Sequence, residues 1–122
     1  MNDSLDRLYA SILAARERDP QLSRTSKLFR DGVQKMAKKL AEEAIEVGLD
    51  AVQMHRENVV LESADLLYHL CVVWAETGVT PDNVRDEIDR RERVYGIAEK
   101  LPKGAAQRLV IPMPRRKSAR KR

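Results

Sequence analysis

The chain has 122 residues, 43% of them apolar and only 4% aromatic, which suits one domain with a modest core and excludes a disordered polymer. Its formal charge of +4 is deceptive, because the last twelve residues hold six Arg or Lys and no acid, so removing those six charges leaves the first 110 residues at −2. No run of about 18 apolar residues exists to span a membrane, the start MNDSLDRLY lacks the basic-then-apolar order of a secretory signal, and Cys71 stands alone, so a cytoplasmic protein held together without disulfides is expected.

Abundant Ala and Leu with few Gly and Pro favour helix. Leu5, Leu8, Tyr9, Ile12 and Leu13 recur at helical spacing and predict a first helix over residues 4–18, capped by Asp3 or Ser4 and ended by Asp19-Pro20. Residues 21–32 read as a connector with a short helical turn around 26–30. Val33, Met36, Ala37, Leu40, Ala44, Val47 and Ala51 form the apolar stripe of a second helix over 33–55. A third, over 59–77, is apolar almost all round from Ala64 to Ala75 and is expected to be central and buried, with Gly78 as its stop. Thr80-Pro81 opens a fourth helix, to about residue 94. The basic tail, with Pro112 and Pro114 and no apolar periodicity, is expected to be disordered. No strand pattern and no internal repeat interrupt this order.

Two acidic clusters carry chemistry. On the second helix Glu42, Glu43 and Glu46 stand together, and at 100° per residue Lys39, Glu43, Glu46 and Asp50 border the apolar stripe while Glu42 lies further toward solvent. On the third helix Glu62 and Asp65 are three apart, with His69 one turn later on the same face. Residues at this spacing hold their Cβ atoms about 5–6 Å apart. Two such carboxylate pairs on facing helices would repel, and burial would raise their pKa values. A hard divalent cation with oxygen ligands resolves the conflict, and magnesium suits carboxylates and bridges to phosphate oxygens.

Plainer readings compete with this one. Glu42, Glu43 and Glu46 alone fit a solvated helix face equally well, with Lys39 to Glu43 as an ordinary ion pair. Asp65, at the mouth of an apolar helix, is harder to dismiss. His69 reads better as a satisfied core or subunit-interface histidine than as a metal ligand, and Tyr68, Cys71 and Trp74 as packing. Asp50 is either a fifth acid near the site or a surface residue.

The stretches Thr25-Ser26-Lys27-Leu28, Lys39-Leu40-Ala41-Glu42-Glu43-Ala44-x-Glu46 and Glu62-Ser63-Ala64-Asp65-Leu66-Leu67-Tyr68-His69-Leu70 closely resemble the phosphoribosyl-ATP pyrophosphohydrolases, which act second in histidine biosynthesis. More broadly they are similar to the MazG-like all-α NTP pyrophosphohydrolases, whose signature is E-E-x-x-E followed by E-x-x-D. The likeness covers about residues 5–91. It implies an all-α, four-helix MazG-like bundle over residues 1–100, completed by homodimerisation, with residues 101–122 as a tail. It implies Glu43, Glu46, Glu62 and Asp65 as magnesium ligands and Glu42 as the residue that orients or deprotonates water. Lys27 and Lys39 match basic positions assignable to substrate phosphates, with Lys35 and Arg30 as weaker candidates. One departure stands near the end: Tyr95-Gly96 occupies the place of the family's usual Ser-Gly step, ahead of Ile97-Ala98-Glu99-Lys100.

The expected reaction is hydrolysis of phosphoribosyl-ATP to phosphoribosyl-AMP and diphosphate. A housekeeping NTP pyrophosphohydrolase would keep the metal site and change the base pocket. A non-enzymatic helical module gripping nucleic acid through its tail leaves Asp65 unexplained and lacks stacking aromatics, so no specific nucleic-acid partner is expected.

Overall fold

The structure is a computed structural model that describes residues 3–98; the tail and the Glu99-Lys100 step lie outside the described residues. All regular structure among the described residues is helical: α1 (Ser4–Ala15), α2 (Arg24–Asp31), α3 (Val33–Val52), α4 (Arg56–Thr77) and α5 (Pro81–Ala98). The described residues fall into two compact units, divided between Asn83 and Val84. None of these helices is long and apolar enough to cross a membrane.

Local signals account for most of the boundaries. Asp3 caps α1 in a reciprocal box with Asp6. The helix stops at Ala15, short of the expected Arg18, because the Ser26 hydroxyl donates to the carbonyl oxygens of Arg16 and Arg18 and draws the chain into a turn. The supposed connector is a full helix: Ser23 caps α2 by accepting from the Ser26 amide, and Gly32, at φ 98°, separates it from α3 in a conformation that favours glycine. Met54 takes a left-handed φ of 59°, which ends α3 at Val52 and lets α4 begin at Arg56, three residues ahead of the expectation. Gly78, at φ 77°, closes α4 as expected. Thr80 and Asn83 cap the start of α5 reciprocally, and the helix runs on to Ala98.

In the first unit α3 and α4 pair along their length, α1 lies on α4, and α2 packs mainly on α3. Ile12, Leu28, Met36, Cys71, Val72 and Ala75 form the core, flanked by Tyr9, Phe29, Tyr68 and Trp74. Two long-range hydrogen bonds fasten the periphery: the Tyr9 hydroxyl donates to the Val79 carbonyl at 2.8 Å, and Thr25 and Tyr68 join α2 to α4 through their hydroxyls.

The expectation that α4 is buried all round holds only for its second half. His69, Cys71, Val72 and Ala75 are buried, while Val60, Leu61 and Leu67 are exposed. A matching stripe on α3, Ile45, Leu49 and Val52, is also exposed. One chain thus leaves exposed apolar side chains on both paired helices, at i, i+4 and i+7 on α3 and at i, i+1 and i+7 on α4, which its own core does not cover.

Candidate active site

Pairing α3 with α4 sets the two acidic motifs opposite each other. Glu43, Glu62 and Asp65 each present a carboxylate oxygen, and these atoms lie within 4.8 Å of one another. Glu43 and Glu62 are half-buried and Asp65 is exposed, so the cluster lies at the surface and Asp65 is not embedded among apolar side chains. Glu46 is exposed, yet close enough to Glu62 to act on its ionisation.

The charges are left unneutralised. Lys39 approaches Glu42 at 3.7 Å, not Glu43 as the i, i+4 pairing would have it. One carboxylate oxygen of Glu43, Oε1, is buried and has no hydrogen-bond partner. The Glu62 carboxyl is pushed up to about 7, first because its protonated form hydrogen-bonds the Glu43 side chain, then through desolvation, and through hydrogen bonding to and repulsion from Glu46. Asp50, the possible fifth acid, lies 3.7 Å from His55 Nδ1 instead.

This donor set fits a hard cation. It offers carboxylate oxygens only, one of them orphaned, across a spread slightly wider than the roughly 4.2 Å between opposite ligands of an octahedral magnesium ion. His69 is absent from the group of convergent ligand atoms.

Beside the carboxylates, α2, α3 and α4 enclose a cavity of about 120 Å³, lined by Arg24, Lys27, Leu28, Asp31, Lys35, Lys39 and His69. Three of the four basic residues expected at the site therefore share one wall, while Arg30 is exposed on α2 and is not part of the lining. Lys27 is itself paired with Asp31 at 3.2 Å. Arg24, which the sequence reading missed, stacks over the Tyr68 ring at 5.1 Å. The S-x-x-S cap at Ser23 was the available signal: once α2 is a helix, Arg24, Lys27 and Asp31 fall at i, i+3 and i+7 on one face. A larger hollow of about 390 Å³ lies at the α3–α4 turn, but among the described residues only the continuous segment 55–58 lines it, and these gather no acidic cluster.

His69 is buried, as expected of a core histidine, but it is not satisfied: both ring nitrogens lack a hydrogen-bond partner. Each such atom costs about 1–3 kcal/mol if left unmet. Burial holds the imidazole below its ordinary pKa, opposed by Glu43, reinforced by Arg24 and Lys39, and opposed again by Asp65. The ring is thus neutral and stands between the acidic and basic halves of the site.

An oxygen-donor cluster next to a cationic cavity, on a scaffold that is all helical among the described residues, defines a centre able to hold a cation and a polyphosphate side by side. Comparison with known proteins makes the class particular. The sequence pattern of the family described as phosphoribosyl-ATP pyrophosphohydrolase matches residues 5–92, and the chain belongs to that family. It is 58% identical to a phosphoribosyl-ATP pyrophosphatase 2 of Rhodopseudomonas palustris, over 95% of each chain. It is likewise 58% identical to the protein of that name from Bradyrhizobium diazoefficiens, covering 94% of this chain and 86% of the relative. Against a phosphoribosyl-ATP pyrophosphatase of Azospirillum brasilense the identity is 48%, over 79% of this chain and 86% of the relative.

Proposed function

We propose that this chain hydrolyses phosphoribosyl-ATP to phosphoribosyl-AMP and diphosphate, the second step of histidine biosynthesis, with magnesium held by Glu43, Glu46, Glu62 and Asp65. The observation that carries the reading is the convergence of Glu43, Glu62 and Asp65 within 4.8 Å, in a member of this family. Bound there, the cation would neutralise phosphate oxygens and lower the pKa of water.

The chain's own residues supply the rest. Lys27, Lys35 and Lys39 neutralise phosphate charge from the cavity wall. Glu42, next to Glu43 in the chain and 3.7 Å from Lys39, orients the attacking water and accepts its proton. Phosphoryl transfer needs positioning and charge neutralisation more than covalent chemistry, so no nucleophilic side chain is required, and Cys71 stays in the core.

The working unit in this reading is a homodimer. The exposed rows Ile45, Leu49, Val52 on α3 and Val60, Leu61, Leu67 on α4 support it, since a monomer rarely leaves such stripes to water. A biosynthetic role places the protein in the cytoplasm.

Turnover of phosphoribosyl-ATP, measured beside a panel of ordinary and modified NTPs with magnesium present, tests the substrate. Preference for phosphoribosyl-ATP is expected, and equal or better turnover of a modified NTP would shift the chain to a housekeeping role.

A further inference from the structure

His69 is 1% exposed, and each of its ring nitrogens is without a partner. Packing does not explain it: the neighbouring core positions are Cys71 and Val72, and an apolar residue would fill the place without orphaned nitrogens. The opening left to the imidazole is the cavity whose wall it shares with Arg24, Lys27, Lys35 and Lys39.

We propose that His69 is a phosphate-binding residue, donating its ring N–H to an oxygen of the substrate's terminal diphosphate seated in this cavity. The assignment rests on the pyrophosphohydrolase reading above and adds which end of the substrate the cavity takes. At about 120 Å³ the cavity has room for several water molecules and so for a phosphate group. Four cations stand in its wall against one acid, Asp31, which is paired with Lys27 at 3.2 Å, so it favours the most densely charged part of a nucleotide. A neutral imidazole adds a directed donor there without adding a charge. The Tyr68 ring packs edge-on against the imidazole, with centroids 4.9 Å apart, and is itself held by the hydrogen bond to Thr25.

The test uses the full-length protein, inorganic diphosphate and AMP as probes, and the variants His69→Leu and His69→Gln. In magnesium-free wild type, the His69 side-chain nitrogen resonances should move on adding diphosphate and stay in place on adding AMP. His69→Leu should keep or raise the melting temperature and weaken inhibition by diphosphate about tenfold, with inhibition by AMP within about twofold. His69→Gln, which restores a donor, should recover most of the diphosphate affinity. A lowered melting temperature with diphosphate affinity intact would return His69 to the core. Weakened AMP inhibition alone would assign the cavity to the nucleoside end and overturn the proposal. Should His69→Leu fail to fold, the wild-type resonances decide, and their indifference to diphosphate refutes it. If phosphoribosyl-ATP is not turned over while these resonances still answer to diphosphate, the substrate reading fails and the assignment of His69 stands.

Discussion

A carboxyl that titrates near neutrality must give up its proton before it ligates a cation, so cation binding at the cluster should release protons in amounts set by pH. With Glu62 at about 7, its protonated fraction is about 0.9 at pH 6, about 0.5 at pH 7 and about 0.1 at pH 8. Magnesium titrations by calorimetry, in two buffers of different ionisation enthalpy, read that number directly. The apparent affinity should fall about tenfold per pH unit below 7 and level off above 8. Glu62→Gln should bind magnesium weakly and release almost no proton. A release well under half a proton at pH 6, or one that survives Glu62→Gln, would refute the convergence of Glu62 with Glu43 and Glu46.

The same carboxyl fixes a sign for stability. Its folded value of about 7 lies above the ordinary 4.5, so between these limits the native state binds more protons than the unfolded chain. Stability of the metal-free protein therefore falls as pH rises from 4.5 through 7, and the loss is complete above 7. Glu62→Gln should remove this part of the slope. Added magnesium should raise the melting temperature most above pH 7, where no proton competes.

Asp65→Asn should leave the metal-free melting temperature unchanged or higher while abolishing most diphosphate release, and magnesium should no longer stabilise it; destabilisation with turnover retained would mark a structural salt-bridge network instead. Lys39→Met keeps the aliphatic stem of a partly exposed side chain, so stability should change by less than about 1 kcal/mol while KM rises, and unaltered kinetics would leave only the Glu42 ion pair. Ser26→Ala removes the hydroxyl that holds the Arg16 and Arg18 carbonyls and should cost about 1–3 kcal/mol in denaturant unfolding, with a rise in KM as α2 loosens. Leu49→Lys, at a side chain 58% exposed in the single chain, should yield a folded monomer by light scattering if α3 forms the dimer contact, and an unchanged mass would redirect the interface.

The sequence exposed what depends on neighbours along the chain and hid what depends on neighbours in space. Caps and stops at Asp3, Gly78 and Thr80 act within one turn, and the structure has them where the residues imply. The helix α2 was hidden because its apolar face is only Leu28 and Phe29, too short for a periodic signal; the buried Ser26 hydroxyl compensates for that brevity. The acidic motifs were legible as spacing, but the preference of Lys39 for Glu42 over Glu43 is a matter of side-chain rotamers that no spacing reveals. The exposed apolar row on α3 was hidden because Ile45, Leu49 and Val52 lie on the side opposite Met36, and the stripe that carries Met36 reads as the helix's one apolar face.

The site sets acids and bases side by side without letting them cancel, and local helix pairing explains how. Lys39 is drawn to Glu42 three residues on, and Lys27 to Asp31 four residues on, so both lysines have partners on their own helices. The carboxylates of Glu43, Glu62 and Asp65 are thereby left without a cation, and Arg24 and Lys35 without an ion-pair partner among the described residues. Had Lys39 paired with Glu43, the buried oxygen that now lacks any partner would be satisfied and the cluster would hold one ligand fewer. Exposed i, i+3 and i, i+4 pairs contribute only about 0.3–0.5 kcal/mol, so they separate the two charge sets without locking them. A polyphosphate arriving with a divalent cation can displace both pairs, because it offers the lysines more charge than one carboxylate and offers the acids the cation they lack.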